Sequence, residues 1–587
     1  MAPAPIYQEP QEPRCNRCFP NDPYFKQLLL AAESYGGVVV GDGVKADYAR
    51  LLHDVSSFQS TIRGRLPENI LDSNGMVKCQ GVYICILAPV SYEFIVAMLA
   101  VLAVGAAVVP LSTGLMAEEV LYLYKMCDAA CMLVGPEQKD VASEIRNYAL
   151  QVTSSRIQQI PIEVTSDGPT PNSQYSLMED FSFPSNWPGL VLFTSGTTGP
   201  PKGVIHGRKF FYGILESKAP HPGNTALCHR PVFWLAGFRS IARLIVEGVR
   251  LETLREGSKP DFIWERLRQG NITILECQPI VWHSMMRYYK DQLGLLPSEE
   301  LQVYTEAAQR LRVVVCAGGM PPPSVRLFWY HLRNGRALSM SYTTTELGVS
   351  TLGTSPDMEI SPEEPCVGKP VSHPDIEVKL SEGQRGEILV KSPYIFLKYI
   401  GQKASLDPNI FDDDGFYKTG DLAHKGENGY IYIEGRANLD FIRFYGFKVS
   451  TFEVEARLLE LPYISEGYII GVPDANTAGR VAALVRLKPN SIVSAGCQNL
   501  LPLQTLREDL HRELFLYQLP SLLRVLEDGE EFPMLENSKF AVKKAVEKYF
   551  SSQDFSLNGS PGKVQAWDVS RLRESKGGKA WDFAGLN

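Results

Sequence analysis

Short apolar runs alternate with amphipathic stretches through about the first 430 residues, and this alternation constrains the fold more than any other feature. The apolar run 82–87 precedes a helical pattern at 93–104, and the run 312–316 precedes another at 323–332. Strands that alternate with helices form mostly parallel sheets with helices on their faces. We therefore expect an α/β fold, with a large N-terminal domain of mixed or parallel sheets flanked by helices.

The segment 94–111 is almost wholly apolar and, at 18 residues, lies near the lower limit for a membrane-spanning helix. Gly105 and Pro110 interrupt it, and the pattern around Val108 and Val109 is that of a strand. We therefore expect a buried helix followed by a strand, and no membrane span.

The pattern changes after about residue 440 to that of a small α+β domain. The predicted elements are helices at 452–459 and 505–514 and strands at 467–472 and 481–487. Beyond residue 550 the composition shifts to Ser, Gly and Asn, which is typical of a flexible tail. Trp567 and Trp581 in this tail are candidate docking points.

Charge and cysteine content exclude several classes of protein. The chain has 58 Lys and Arg against 66 Asp and Glu residues, and it has no long basic block. We therefore expect neither nucleic acid nor an anionic membrane as a partner. Eleven cysteines at irregular spacing indicate reduced thiols, and hence a cytoplasmic protein. Cys15 and Cys18 form a lone C-x-x-C pair without the second pair that a zinc site needs.

The most informative segment is 190–203, where an apolar strand runs into a loop rich in Ser, Thr and Gly with one lysine. Glycines let backbone amides turn inward, and the hydroxyls and Lys202 add donors and charge, so the loop suits a polyphosphate. It is not a Walker A loop, because Pro201 and Gly203 flank the lysine. The candidate ligands are Thr194, Ser195, Gly196, Thr197, Thr198, Gly199 and Lys202.

The 194–203 loop resembles the phosphate loop of the adenylate-forming superfamily, which includes acyl-CoA synthetases, non-ribosomal peptide adenylation domains and beetle luciferases. Four further segments resemble the family's motifs in family order and spacing. They are 342–346 (Tyr-Thr-Thr-Thr-Glu), 417–421 (Tyr-Lys-Thr-Gly-Asp), 435–436 with 446–449, and Pro533 with Lys539. The resemblance covers residues 20–550.

The resemblance implies the reaction. A thiol cannot displace oxide from a carboxylate, so the carboxylate first attacks the α-phosphate of ATP and gains AMP as its leaving group. This brings several negative charges together, so the site needs cations and oriented donors. The expected activity is the conversion of an acid to an acyl-adenylate with release of pyrophosphate, followed by transfer to coenzyme A.

The resemblance also assigns roles at the nucleotide. The 194–202 loop would hold the β- and γ-phosphates, and Tyr342 belongs to the ATP site. Thr345 would donate to the α-phosphate and Glu346 would help hold Mg²⁺, a hard cation suited to oxygen ligands. Asp421 would accept both ribose hydroxyls with help from Arg436. The implied catalytic residues are Lys539, which would bridge the carboxylate and the α-phosphate, Thr345 and Glu346.

The segment 233–237 aligns with the family's acyl-pocket segment. Trp234 stands where amino-acid-activating relatives carry Asp, which disfavours an α-amino acid. The implied pocket residues are Trp234, Gly237, Phe238, Ala317, Gly318, Gly319, Tyr342, Thr343 and Gly348. Because Trp234, Phe238 and Thr343 are bulkier than glycine, we expect a small or medium carboxylic acid. Arg239 is either a structural or surface charge or the partner of a second carboxylate on the substrate.

The resemblance further implies four segments: a tail at 1–20, an adenylation domain at 21–435, a mobile cap domain at 436–550 and a tail at 551–587. The hinge falls on Asn438 or Asp440, and both remain candidates. After the cap rotates, Gly446 and Lys448 would line a channel for coenzyme A. Two alternatives stay open, namely loading of a separate carrier protein and a non-catalytic relative that binds nucleotide.

Overall fold

The structure is a computed structural model, which describes residues 17–35, 38–41, 44–153, 156–164, 174–194, 202–215, 223–254, 259–355, 358–400, 410–436, 441–444, 447–474, 477–489, 501–534, 540–551 and 564–568.

The strands are β1 (Cys18–Phe19), β2 (Val38–Gly41), β3 (Val44–Asp47), β4 (Tyr83–Leu87), β5 (Ala107–Leu111), β6 (Cys131–Val134), β7 (Gln159–Pro161), β8 (Ser176–Leu177), β9 (Pro188–Thr194), β10 (Lys202–Gly207), β11 (Thr225–Cys228), β12 (Arg250–Thr253), β13 (Ile274–Cys277), β14 (Val313–Ala317), β15 (Ser339–Tyr342), β16 (Leu352–Gly353), β17 (Cys366–Pro370), β18 (Glu377–Leu380), β19 (Arg385–Lys391), β20 (Lys398–Tyr399), β21 (Tyr417–Lys425), β22 (Ile431–Arg436), β23 (Phe441–Phe444), β24 (Phe447–Ser450), β25 (Ile464–Asp474), β26 (Ala478–Leu487), β27 (Leu522–Val525) and β28 (Val564–Ala566).

The α-helices are α1 (Pro23–Ser34), α2 (Tyr48–Arg63), α3 (Tyr92–Val104), α4 (Ala117–Cys127), α5 (Lys139–Thr153), α6 (Lys209–Gly213), α7 (Leu235–Leu244), α8 (Pro260–Arg268), α9 (Pro279–Asp291), α10 (Ser298–Arg310), α11 (Pro323–Leu332), α12 (Thr451–Glu460), α13 (Leu503–Leu510) and α14 (Val542–Tyr549).

Two large sheets carry most of the fold before residue 437. One has seven strands in the order β20-β10-β9-β5-β4-β6-β7, and the other has thirteen in the order β18-β19-β21-β22-β17-β16-β15-β14-β13-β11-β12-β2-β3. The run from β15 to β2 in the second sheet is parallel throughout, and the strands beyond it pair antiparallel. The predicted α/β fold with mixed sheets flanked by helices is confirmed.

The apolar segment predicted as a buried helix and strand is α3 followed by β5. Ser91 caps α3 by accepting a hydrogen bond from the Phe94 backbone N–H, and every residue of the helix is buried. Gly105 ends it in the left-handed region at φ 92°, where a Cβ would lie 2.2 Å from the Phe183 ring. The helix–strand prediction is confirmed. None of the helices in the described ranges is both long and apolar enough to span a bilayer.

The last sheet has four strands in the order β25-β26-β27-β28, and its final strand comes from the predicted tail. β28 pairs antiparallel with β27, and the Trp567 ring lies 4.4 Å from the Arg507 guanidinium. The Trp567 carbonyl also accepts a hydrogen bond from Arg480. Trp567 is therefore packed against this domain, and β28, which lies in the segment predicted as a tail, completes the sheet. Trp581 lies outside the described residues.

Two smaller predictions need correction. The helix predicted at 505–514 is α13, which begins earlier and ends at Leu510, so the residues after it form a turn. The cysteines at 79, 85, 127, 131, 228, 277, 316 and 366 are free thiols, as predicted. Cys18 is instead disulfide-bonded, so the reduced state expected there is wrong, since spacing alone does not set a thiol's redox state.

Candidate active site

The ends of several strands meet along one edge of the thirteen-stranded sheet. β14 and β15 are parallel neighbours, with Ala317 opposite Ser341, so the glycines that follow β14 lie beside Tyr342 and Thr343 at the end of β15. β13 and β11 continue the same parallel edge. Ligands of such sheets bind at the carboxyl ends of the strands. The structure thus brings two groups of predicted pocket residues together.

The predicted phosphate loop connects β9 to β10. The two strands pair antiparallel, with Lys202 opposite Thr194, and the Thr194 hydroxyl donates to the Lys202 carbonyl at 3.3 Å. Both ends of the loop are thus held together at the strand exit. Residues 195–199, which include the hydroxyl and glycine ligands predicted for the phosphates, lie outside the described residues.

A tyrosine that the sequence analysis missed joins the loop lysine to Glu346. The Tyr399 hydroxyl donates to Glu346 Oε1 at 3.0 Å, and Lys202 Nζ lies 5.8 Å from the centre of the Tyr399 ring. Tyr399 lies on β20, which pairs with β10. A strand of two residues has no recognisable pattern, so only the structure reveals this link between a cation and a carboxylate of the candidate site.

The turn after β15 carries Thr345 and Glu346 and is fixed by its own backbone. The Gly348 N–H donates to the Thr344 carbonyl at 3.2 Å, and the Glu346 carbonyl accepts from the Phe396 N–H at 2.9 Å. Gly348 has φ +74°, and a Cβ there would lie 2.9 Å from His206 Cε1. The turn and His206 therefore account for a glycine at this position, and its place in the acyl pocket stays a prediction.

His206 supports this turn from behind. Its Nε2 lies 2.8 Å from the Thr345 carbonyl, which can only accept, so Nε2 carries the proton. The side chain is fully buried on β10, and burial lowers its pKa to about 4. The imidazole is therefore neutral at physiological pH and holds Thr345 in place with a buried hydrogen bond.

Replacing His206 by leucine should lower kcat about tenfold, because the Thr345 carbonyl loses its donor and an unsatisfied buried acceptor costs about 1–3 kcal/mol. His206→Gln keeps a donor near the Nε2 position and should retain more activity. Steady-state kinetics of both variants measures this, with the exposed His331→Gln as a control. Equal kcat for His206→Leu and wild type would show that the hydrogen bond does not position Thr345.

Asp421 and Tyr342 form a second buried contact. The Tyr342 hydroxyl donates to Asp421 Oδ2 at 2.6 Å, and the Asp421 N–H donates to the Thr419 hydroxyl at 3.1 Å. Gly420 is left-handed at φ 77°, and its N–H is held by Glu387. Arg436 faces Asp421 across the β21–β22 pair, although its side chain is not described. Three residues predicted for the ATP site are thus neighbours in the fold.

Four of the residues predicted for the acyl pocket have contacts that show what each one supports or leaves unpaired. Gly237 is glycine because a Cβ would lie 2.1 Å from the Pro231 carbonyl, and Phe238 is fully buried against Phe94, Phe210 and Phe211. Both support helix α7 from the core. The Thr343 hydroxyl donates to the Val349 carbonyl at 2.7 Å, so it braces its own loop. Trp234 at the start of α7 has an indole N–H that is buried without a hydrogen-bond partner.

Several predicted residues cannot be placed. The residues outside the described ranges are Ser195, Gly196, Thr197, Thr198, Gly199, Asn438, Asp440, Gly446 and Lys539. The side chain of Lys448 is likewise not described. Their assigned roles stay predictions.

Comparison with known proteins defines the class of protein. A sequence model of the AMP-binding enzyme family matches residues 69–400. The acyl-CoA ligase oryP of Aspergillus oryzae is 38% identical over 539 residues, which cover 90% of this chain and 93% of that protein. The chain therefore belongs to the AMP-binding enzyme family, and the predicted membership of the adenylate-forming superfamily is confirmed.

Two further proteins extend the comparison. The malonate–CoA ligase of Arabidopsis thaliana is 26% identical over 499 residues, which cover 81% of this chain and 79% of that protein. The crystal structure of ATP-bound MatB from Rhodopseudomonas palustris has the same fold, with a TM-score of 0.70 at 19% identity. That similarity covers 90% of this chain and 98% of the other.

Proposed function

We propose that this enzyme is an AMP-forming acyl-CoA synthetase. It activates a small or medium carboxylic acid with ATP to an acyl-adenylate, releases pyrophosphate and transfers the acyl group to coenzyme A. The observation that carries this function is that residues predicted to bind ATP converge on the segment 342–346. Tyr342 contacts Asp421 at 2.6 Å, and Glu346 is joined through Tyr399 to Lys202. The acyl-CoA ligase of Aspergillus oryzae supports the same activity.

Several residues of this chain have separate roles in the first step, the formation of the acyl-adenylate. Asp421, oriented by the Tyr342 hydroxyl, accepts hydrogen bonds from the ribose and fixes the nucleoside. Lys202 and the loop before it hold the departing pyrophosphate, while Thr345 donates to the α-phosphate. Donors fixed in advance where negative charge develops need no reorganisation during the reaction, which is how they lower the barrier.

Glu346 fits a magnesium site. Its carboxylate is a hard oxygen ligand, and no cluster of three or more His, Cys, Asp or Glu side chains suited to a metal occurs in the described part of the chain. Mg²⁺ is commonly held by one or two carboxylates together with substrate phosphates and water. When bound it neutralises phosphate charge, and Tyr399 keeps the Glu346 carboxylate in position.

The second step requires a cap that moves. We propose that residues 436–550, together with β28, form this cap beside a domain at 21–435, with Asn438 or Asp440 as the hinge. An ion pair of 3.9 Å links Arg287 on α9 to Glu466 on β25, and both side chains are partly exposed. Such an exposed ion pair stabilises the contact by only about 0–1 kcal/mol, so it does not oppose rotation of the cap. Rotation would carry Lys539 out and bring Gly446 and Lys448 to the thiol channel.

Pyrophosphate release with a panel of carboxylic acids, with and without coenzyme A, tests this function. Acid-dependent release together with a thioester product supports it. Adenylate without thioester would favour a separate carrier protein as the acceptor, and no release with any acid would favour a non-catalytic relative. We propose the cytoplasm as the location, a proposal supported by the free thiols of the core.

A further inference from the structure

The segment 230–239 lies beside the predicted acyl pocket and carries two arginines that the proposed reaction does not use. It runs from the end of β11 into the first turns of α7. β11, β13, β14 and β15 are consecutive in the sheet, so this segment continues the edge formed by residues 317–319 and 342–343. The segment therefore lies at the edge of the sheet where the substrate acid is expected.

Four N–H groups of this segment are buried without a hydrogen-bond partner. They are Nε and Nη2 of Arg230, Nε1 of Trp234 and Nε of Arg239. Arg230 is only 7% exposed. Buried donors almost always have partners because an unsatisfied one is costly, and the cost is larger for a charged group. Four of them in ten residues indicate a place for acceptors that the chain does not supply.

The charges in this region do not balance. Arg243 pairs with Glu247 at 2.9 Å and with Glu276 at 2.8 Å, so it engages both nearby carboxylates. Arg230 approaches Glu276 only to 3.6 Å, and Arg239 makes no ion pair with any residue that the structure describes. Among the residues that the structure describes here, three arginines thus face two glutamates, one positive charge more than the two carboxylates.

The electrostatic environment agrees with this excess. Burial, together with the charges of Arg243 and Arg230, lowers the pKa of Arg239 to about 10, although the carboxylates of Glu276 and Glu247 act in the opposite direction. Burial raises the pKa of the Cys316 thiol to about 12, and the charge of Arg230 acts in the opposite direction. The Arg230 guanidinium is therefore close enough to the end of β14 to act on Cys316.

We propose that Arg230 and Arg239 form an anion-binding subsite beside the acyl pocket, and that the acid which this enzyme activates carries a second carboxylate. The proposal rests on the proposed function, since the first carboxylate is the one that is adenylated. The second accepts hydrogen bonds from the guanidinium groups, whose planar fork of donors matches a carboxylate. The Trp234 indole N–H adds a donor to a substrate oxygen.

Matched pairs of acids test this subsite. Pyrophosphate release is measured with dicarboxylic acids of three to six carbons, with the monocarboxylic acids of equal length and with the corresponding monoamides. We expect kcat/KM of the wild type to favour one dicarboxylic acid by about 10²-fold over its monocarboxylic partner and its monoamide. Arg239→Met should reduce this preference at least about tenfold, Arg239→Lys should reduce it less, and the exposed Arg250→Met should leave it unchanged.

The outcomes separate the two proposals. Efficient activation of monocarboxylic acids, with no preference for any dicarboxylic partner, overturns the subsite and leaves the acyl-CoA synthetase function intact. No release with any acid overturns both. The monoamide comparison uses only the wild-type enzyme, so it decides the matter even when an arginine variant does not fold.

Discussion

Replacing Lys539 by alanine is expected to slow adenylation by about 10²-fold or more. One ammonium that acts on the charge developing between the carboxylate and the α-phosphate contributes about 3 kcal/mol or beyond at the transition state. Thioester formation from supplied acyl-adenylate should be nearly unchanged, because the proposed rotation of the cap would carry this lysine out of the site. The two half-reactions are measured separately, by pyrophosphate release and by consumption of synthetic acyl-adenylate with coenzyme A.

Lys544→Ala is the matched control for this variant. Lys544 is an exposed residue of α14, in the same lysine-rich region, and its removal should leave both half-reactions unchanged. A Lys539→Ala enzyme that loses both half-reactions equally would contradict the rotating cap, because the lysine would then act in both steps or serve only the fold.

Asp421→Asn is expected to raise the KM for ATP about 10²-fold with little change in the KM for the acid. The substitution keeps the size of the side chain but removes the charge that we propose accepts both ribose hydroxyls, and hydrogen bonds to charged groups contribute about 1.5–3 kcal/mol each. Tyr342→Phe should have a smaller effect in the same direction, because it removes only the hydroxyl that orients Asp421 at 2.6 Å.

Asp414→Asn controls for the loss of a carboxylate. Asp414 is exposed and pairs with Lys379, so its replacement should not alter the KM for ATP. Melting temperatures of all three variants show whether the buried site residues also support the fold. An unchanged KM for ATP in a folded Asp421→Asn enzyme would rule out the ribose role.

The sequence predicted the architecture well because hydrophobic periodicity is a local property. The runs at 82–87 and 312–316 correspond to β4 and β14, and their following helices to α3 and α11. The 194–202 loop was likewise visible, since a strand exit rich in glycine and hydroxyls is contained within a few consecutive residues. The partnership of β27 with β28 was not visible, because about forty residues separate two short strands.

The supporting side chains of the site could not be predicted because they act across long sequence separations. His206 reaches the Thr345 carbonyl from 139 residues away, and Tyr399 reaches Glu346 from 53. Gly237 illustrates a different limit: the family motif assigns it to the pocket, whereas the structure shows its Cβ position blocked by the Pro231 carbonyl. A motif identifies the glycine, whereas the structure shows which neighbouring atom leaves no room for a side chain there.

An oxygen-labelling experiment is the most direct test of the central claim, which is that the enzyme forms an acyl-adenylate on the path to the thioester. The enzyme is given an acid labelled with ¹⁸O in its carboxylate, together with ATP and coenzyme A, and the products are analysed by mass spectrometry. Attack of the carboxylate on the α-phosphate followed by thiolysis leaves one ¹⁸O in AMP and none in pyrophosphate. Label in pyrophosphate or inorganic phosphate, or AMP formed without label, would contradict an acyl-adenylate on the path to the thioester.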